Sequence, residues 1–192
     1  RQAVSALADG AIVAVKGLGG FHLAVSATDE GAVARLRRRK VREEKPFAVM
    51  FAHLDAVRMH CEVSDTEEEL LTGPARPIVL LDRKPSSEGV PPAPSVAPGN
   101  RNLGAFLPYT PLHFLLFGPA PYDSLVLTSG NRSDEPIVTD NGEARERLGS
   151  IADYFLLHDR DIHLRCDDSV IGAHGREHRP IRRARGYVPA PI

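Results

Sequence analysis

The sequence predicts an α/β fold whose sheet is covered on both faces. Three observations carry that expectation. Strand-like and helix-like segments alternate along the chain. Several strand segments, such as 11–15, 77–81 and 124–129, are apolar or β-branched nearly throughout, as strands buried on both faces are. Glycine-rich and polar corners follow those segments, at the strand ends where open α/β sheets bind ligands.

The elements justify themselves in order. A-V-S-A-L-A-D-G (3–10) reads as a short amphipathic helix closed by Gly10. A buried strand, A-I-V-A-V (11–15), leads through the turn K-G-L-G-G (16–20) into a second strand, F-H-L-A-V (21–25). T-D-E-G-A-V-A-R-L-R-R-R (28–39) starts with Thr28 as the capping residue and carries acids first and arginines last, the order a helix dipole favours. K-V-R-E-E-K (40–45) is a polar turn, and P-F-A-V-M-F-A (46–52) is another strand. Residues 53–72 carry helical spacing, with Ser64 opening S-D-T-E-E-E-L-L.

The strand at 77–81 precedes a Pro-, Ser- and Gly-rich loop at 84–100. Loops of that length inside a domain are often functional or mobile. L-G-A-F-L-P (103–108) is a short strand, and T-P-L-H-F-L-L-F (110–117) a helix with Pro111 in its first turn. After the strand at 124–129, D-N-G-E-A-R-E-R-L-G (140–149) is a helix ended by Gly149. Three late strand pieces fall at 154–159, 167–173 and 179–187, and there is no internal repeat.

With 192 residues the chain suits one domain with a substantial core. Its first residue is Arg1 rather than Met, as expected of a piece excised from a larger protein. The net charge of −1 excludes a field of the nucleic-acid-binding kind over the whole molecule. No apolar run approaches membrane-spanning length, and no signal-peptide pattern is present. Cys61 and Cys166 stand far apart without a C-x-x-C partner, so they read as reduced thiols of a cytoplasmic protein rather than zinc ligands.

Four polar corners can meet an anion. In K-G-L-G-G the glycines would let backbone N–H groups approach phosphate and Lys16 would add a point charge, although a plain hairpin turn fits equally. In R-K-V-R-E-E-K-P-F, Lys40 and Arg42 are two apart and would point to one side of an extended segment, as a clamp for phosphate or carboxylate. Arg37–Arg39 read as a solvated run at a helix end. In T-S-G-N, Gly130 permits an unusual backbone angle and Ser129 and Asn131 can bind ligand oxygens, though a turn that caps the strand explains them too. In R-P-I-R-R-A-R-G-Y, alternation would send Arg183 and Arg185 to one face and Arg182 to the other. A solvated basic edge strand is the plain alternative.

His158, His163, His174 and His178 lack zinc-ligand spacing, with the last two in a turn-like region, so no metal site is expected. Asp167 and Asp168 either position a metal on phosphates or make a turn. No nucleophile elbow or Ser-His-Asp order occurs.

In this order the corners resemble the YrdC/Sua family of carbamoyl-adenylate-forming domains. Lys40-Val41-Arg42 before Lys45-Pro46-Phe47 matches that family's K-x-R pair, and Ser129-Gly130-Asn131 its S-x-N. Ser169-Val170 and Arg185-Gly186 match its late Ser-Val strand and Arg-Gly. The stretches V-K-G-L-G-G-F-H-L, L-P-Y-T-P-L-H-F-L-L, T-S-G-N-R-S-D-E-P-I, F-L-L-H-D-R-D-I, D-D-S-V and R-R-A-R-G-Y-V-P are similar to the YrdC-like domain of the HypF hydrogenase-maturation carbamoyltransferases. The threonylcarbamoyl branch carries P-T-x-T-x-Y-G-L after its first strand. Here that place reads Lys16-Gly17-Leu18-Gly19-Gly20-Phe21-His22-Leu23, without the hydroxyls that would hold threonine.

The resemblance covers essentially all of 1–192 and implies a twisted open mixed sheet flanked by helices, with a concave central cleft. It implies that carbamate, derived from carbamoyl phosphate, reacts with ATP and Mg²⁺ to give carbamoyl adenylate and pyrophosphate. The carbamoyl group would pass to a Kae-type transfer domain of the same protein and to the HypE cysteine. Lys40 and Arg42 would act on the reacting groups. Thr128, Ser129, Asn131, Ser169, Arg183 and Arg185 would hold nucleotide and phosphate, and Lys16 and His22 the carbamoyl end. Threonylcarbamoyl-adenylate synthesis, an antibiotic O-carbamoyltransferase and a double-stranded RNA-binding module are the alternatives.

Overall fold

The alternating pattern of apolar strands and capped helices builds one mixed sheet. The computed structural model describes all residues except Glu43, Ser87, Ser133, Asp134, Arg176 and 190–192, so parts of the 40–45 turn, the 84–100 loop and the segment after Asn131 lie outside the described residues. The elements run α1 (Gln2–Ala8), β1 (Val13–Lys16), β2 (Phe21–Ser26), α2 (Glu30–Arg39), β3 (Ala48–Phe51), α3 (Leu54–His60), α4 (Asp65–Thr72), β4 (Ile78–Asp82), β5 (Asn102–Phe106), α5 (Pro111–Phe117), β6 (Ser124–Ser129), α6 (Asn141–Leu148), β7 (Tyr154–Leu156), β8 (Val170–His174) and β9 (Glu177–Arg182). Among the described residues the sheet has nine strands in the order β7-β1-β2-β6-β3-β5-β4-β8-β9. Parallel pairs (β1 with β7, β3 with β5, β4 with β8) mix with antiparallel ones. None of the described helices is long and apolar enough to cross a membrane.

Both faces carry helices, as the sequence predicts, but the two are covered unequally. On one face α2, α3, α4 and α6 bury Val33, Leu36, Val57, Leu71 and Leu148 against Leu23, Val25, Val49, Phe51, Val79 and Val126. On the other face only the short helices α1 and α5 contribute, with Leu7 and Leu116 packing on Val13, Val15, Ala24, Leu125 and Leu127. That cluster also takes in Met50 of β3 and Phe106 of β5. Ala48, Leu80, Gly104 and Val170, on β3, β4, β5 and β8, floor an open cleft.

Local details refine the sequence reading. Asp29, not Thr28, caps α2, because its carboxylate accepts from Ala32 N at 3.0 Å, while Thr28 bonds Ser26. The helical spacing of 53–72 divides in two. Cys61 turns extended to bridge Arg83, and the Ser64–Glu67 capping box restarts the helix. His178 lies in β9 and position 174 in β8, a hairpin rather than a turn. The end of the 84–100 loop is packed, with a 3-10 turn at Pro94–Val96 and Ala93, Val96 and Ala97 buried.

The C-terminus of α2 decides the site geometry. Arg42 N donates to Arg37 O at 3.0 Å and Val41 N to Arg38 O at 3.1 Å, with Lys40 as the cap. This is a Schellman turn whose left-handed position is normally glycine. Here it is Val41, at φ 52, with its side chain in solvent. Lys40 and Arg42 therefore share a side through a helix-ending turn, not through the extended segment the spacing suggests. Arg37 locks the turn rather than standing solvated, donating to Arg42 O, Ser95 O and Lys45 O and lying 4.6 Å over the Phe47 ring. Arg39 pairs with Asp153 at 2.6 Å. A β-branched residue in the left-handed region carries strain of about 1–2 kcal/mol. Val41→Gly is accordingly expected to raise the midpoint of chemical denaturation without loss of ligand binding, and a lowered midpoint would show that the turn is not strained there.

Candidate functional site

The S-x-N corner forms where β6 leaves the sheet. Gly130 is not among the glycines at positive φ, so left-handed backbone freedom is not what it supplies. It is glycine because a Cβ there would stand 2.6 Å from Phe21 Cβ and 2.7 Å from Phe21 O. That close approach lets Gly130 N donate to Phe21 O at 2.6 Å and turns the chain sharply. Ser129 Oγ then donates to Asn131 Oδ1 at 2.7 Å, and Asn131 Nδ2 donates to Glu135 O.

Lys40 reaches this corner from below. Its Nζ donates to Ser129 O and Asn131 O, both at 2.6 Å, and to Asn131 Oδ1 at 2.8 Å. Burial, with Arg42 and Lys45 nearby and Asp167 opposing, pulls this ammonium down to about 7. Arg42 stands above it, with Nη1 3.4 Å from Thr128 Oγ1 and Nη2 2.6 Å from Pro46 O. Burial, then Arg37 and Arg182, lower its guanidinium to about 10, while Asp167 opposes them.

Arg42, Thr128, Ser129 and Asn131 thus line one wall of a cleft of about 720 Å³, over the bare floor of Ala48, Ile78, Leu80, Gly104 and Val170. Gly104 is paired with Ala48 and with Leu80, so the centre of that floor is flat. Asp167, Asp168, Ile181 and Arg182 form the opposite wall.

The other expected residues fall elsewhere. Ser169 is fully buried. Its Oγ donates to Arg185 O at 2.9 Å and accepts from Ala184 N at 2.7 Å, pinning the chain after β9. Arg183 donates to Tyr187 O at 2.9 Å. Arg185 lies flat on Tyr109, 3.5 Å from the ring centroid, and donates to Asp168, Ala75 O and Arg76 O. Since β9 ends at Arg182, strand alternation does not govern Arg183 and Arg185.

Lys16 is buried in a second cavity, of about 600 Å³, with Gly17–Gly19, Tyr109, His158, Cys166 and Arg185 around it. The K-G-L-G-G segment is a tight hairpin turn closed by Gly17 N on Gly20 O. A Cβ on Gly19 would strike Cys166 O at 2.3 Å. His22 is held by Asp168, Nε2 to Oδ2 at 3.3 Å. Burial alone would raise the Asp168 carboxyl, but His22 and Arg185 hold it well below the usual carboxylate range. Segment 166–168 is thus the partition, with Cys166 on one cavity and Asp167 and Asp168 on the other. Among the described residues no cluster of His, Cys, Asp and Glu is arranged to hold a metal.

Sequence reasoning gave Tyr109 no role, set Arg182 on the face away from Arg183 and Arg185, and left Asp168 between metal positioning and a turn. Asp168 stood in the noted D-D-S-V stretch, but its two partners come from β2 and from beyond β9, which no spacing reveals.

The ordinary pKa of a lysine is 10.5 and Lys40 is held at about 7, so between those values the unfolded chain binds a proton that the folded one does not. Folding therefore gains stability as pH rises through that window. The melting temperature of the protein, relative to Lys40→Met, is expected to climb about 4 °C per pH unit above pH 7. A difference that stays flat from pH 7 to 9.5 would mean the lysine is not depressed.

The Sua5/YciO/YrdC family, described as "Telomere recombination", matches residues 5–184. The chain is 50% identical to the carbamoyltransferase HypF2 of Cupriavidus necator, over 100% of the chain and 25% of that protein. It is 38% identical to a probable carbamoyltransferase HypF of Methanocaldococcus jannaschii, over 100% of the chain and 24% of that protein. It spans about a quarter of the length of these curated relatives. A crystal structure of full-length HypF in a phosphate- and nucleotide-bound form superposes with a TM-score of 0.94 at 52% identity, over all of this chain and 30% of that one. Sua5 of P. abyssi complexed with L-threonine shares the fold, with a TM-score of 0.80 at 17% identity, over 95% of this chain and 53% of that one.

Proposed function

The chain belongs to the Sua5/YciO/YrdC family, and from that premise we propose that it forms carbamoyl adenylate from carbamate and ATP, releasing pyrophosphate. The observation that carries this reading is the meeting of Arg42, Thr128, Ser129 and Asn131 beside a flat apolar floor in one cleft. A nucleobase is apolar and flat enough for such a floor, and a triphosphate suits the cationic wall. The nucleotide-bound HypF relative and the carbamoyltransferase names of the curated relatives support it.

In the proposed reaction a carbamate oxygen attacks the α-phosphorus of ATP. The new bond is C–O–P, and the bond from the α-phosphorus to the bridging oxygen breaks, so pyrophosphate leaves. Nothing is oxidised or reduced, and no covalent enzyme intermediate is needed. The protein's work is positioning and charge stabilisation. Arg42 would neutralise charge developing on the α-phosphate, helped by the hydroxyl of Thr128. Ser129 and Asn131 would orient phosphate and carbamoyl oxygens.

Lys40, whose contacts with the corner occupy three donors, would act by holding that corner in shape. Lys16 and His22 would shape the carbamoyl end from behind the Asp168 partition. Ser169, Arg183 and Arg185 would serve the phosphates indirectly, by fixing the chain beside the cleft. Magnesium would arrive with the triphosphate. In the cytoplasm, the longer protein's Kae-type transfer domain and HypE would then receive the carbamoyl group.

The test is ATP–pyrophosphate exchange driven by carbamate. Arg42→Ala and Asn131→Ala are each expected to lower the exchange rate about 100-fold while the protein still folds, with Asn131→Ala also lowering the melting temperature because Lys40 loses the amide oxygen. Exchange that needs L-threonine instead of carbamate would move the chain to threonylcarbamoyl chemistry. Undiminished exchange in both variants would remove the site from the cleft.

A further inference from the structure

One charged pair in the cleft has no part in the reaction as described. β8 and β9 pair with a bulge. Val170 faces Arg182 and Ile171 faces Pro180, so Ile181 is the extra residue. The bulge resets the alternation, and adjacent residues Ile181 and Arg182 both line the cleft. Bulges beside sites re-aim side chains in this way. The guanidinium of Arg182 is fixed from two sides. Nε donates to Asp168 O at 2.8 Å, and Nη1 meets Asp167 Oδ2 at 2.6 Å. Its Nη2 has no partner among the described residues.

The carboxylate of Asp167 is fixed as well, since its Oδ1 accepts from Asp168 N at 2.9 Å. Its charge acts on both Lys40 and Arg42, and the charge of Arg182 acts on Arg42 from the opposite wall. Asp167 therefore holds one cation in contact, Arg182, and acts at longer range on Lys40 and Arg42, in a cleft open to solvent. The Arg182–Asp167 pair is itself about a third exposed, with side chains at 39% and 33%. An ion pair that wet contributes little to stability. It is easily exchanged for another anion, and Arg182 need never be left unpaired during the exchange.

We propose that Arg182 is a phosphate-binding residue facing Arg42 across the cleft, and that Asp167 is an internal anion that pre-positions its guanidinium and competes with the ligand's phosphates for it. This deepens the nucleotide reading and rests on it only for the ligand's identity. The anion site itself requires no more than a pyrophosphate-like group, which two guanidinium forks can grip from both sides.

The experiment is calorimetric titration in EDTA, with inorganic pyrophosphate and with ATP as separate probes. Arg182→Gln is expected to weaken pyrophosphate about tenfold or more, and Arg182→Lys to lose less. Asp167→Asn keeps the bond to Asp168 N but removes the competing charge, so it is expected to tighten pyrophosphate binding several-fold. A merely structural pair would not give that gain. Unchanged pyrophosphate affinity in Arg182→Gln, or weaker binding in Asp167→Asn, overturns the proposal. If ATP binds no more tightly than pyrophosphate while the Arg182 and Asp167 effects persist, the nucleotide reading falls and the anion site stands. If ATP binds the protein and both variants alike, the anion site falls and the nucleotide reading stands.

Discussion

A lysine ammonium with almost no contact with water underlies the whole site. Lys40 is 2% exposed, and its Nζ is pressed against the carbonyls of Ser129 and Asn131 and the Asn131 amide oxygen. Burying a charge is costly unless it is hydrogen-bonded, and here three oxygens of one turn supply the bonds. The contact ties the C-cap residue of α2 to the end of β6, two elements far apart in sequence. Everything above the contact follows from it. The Schellman turn after Lys40 raises Arg42 over Thr128, and the corner below presents Ser129 and Asn131 to the same space.

The arrangement also explains two features that look unfavourable when taken alone. Val41 holds a left-handed backbone angle that glycine would tolerate better, yet that angle separates the buried cation at 40 from the cleft-facing cation at 42. The sheet leaves part of one face uncovered, yet Ala48 and Gly104 make that part flat. A longer helix over that part would satisfy the apolar residues and abolish the cleft. On the far side, the Asp168 carboxylate gathers His22 and Arg185 into the partition that separates the cleft from the cavity around Lys16.

Much of this was legible in the residue order. The apolar runs became β1, β2, β4 and β6, and the corners K-V-R and S-G-N met as their resemblance to the YrdC/Sua family implied they would. What stayed hidden has physical reasons. Two-residue spacing suggested an extended clamp, but helix termination placed Lys40 and Arg42. Alternation set Arg182 on the face away from Arg183 and Arg185, because a one-residue bulge cannot be seen in a pattern of period two. Gly130 was read through backbone freedom, when its role is the approach of Phe21. The thinner cover on one face escaped because α1 and α5 look as capable of covering a sheet as the helices opposite.

The central claim is that the turn knit together by Lys40 makes the cleft, and not the cavity behind Asp168, the nucleotide site. A crystal structure with a non-hydrolysable ATP analogue tests it most directly. The account predicts the base on the floor of Ala48 and Gly104, with the phosphates between Arg42 and the Ser129–Asn131 corner. Phosphates lodged instead beside Lys16 and the Gly17–Gly20 turn, with the cleft empty, would contradict it.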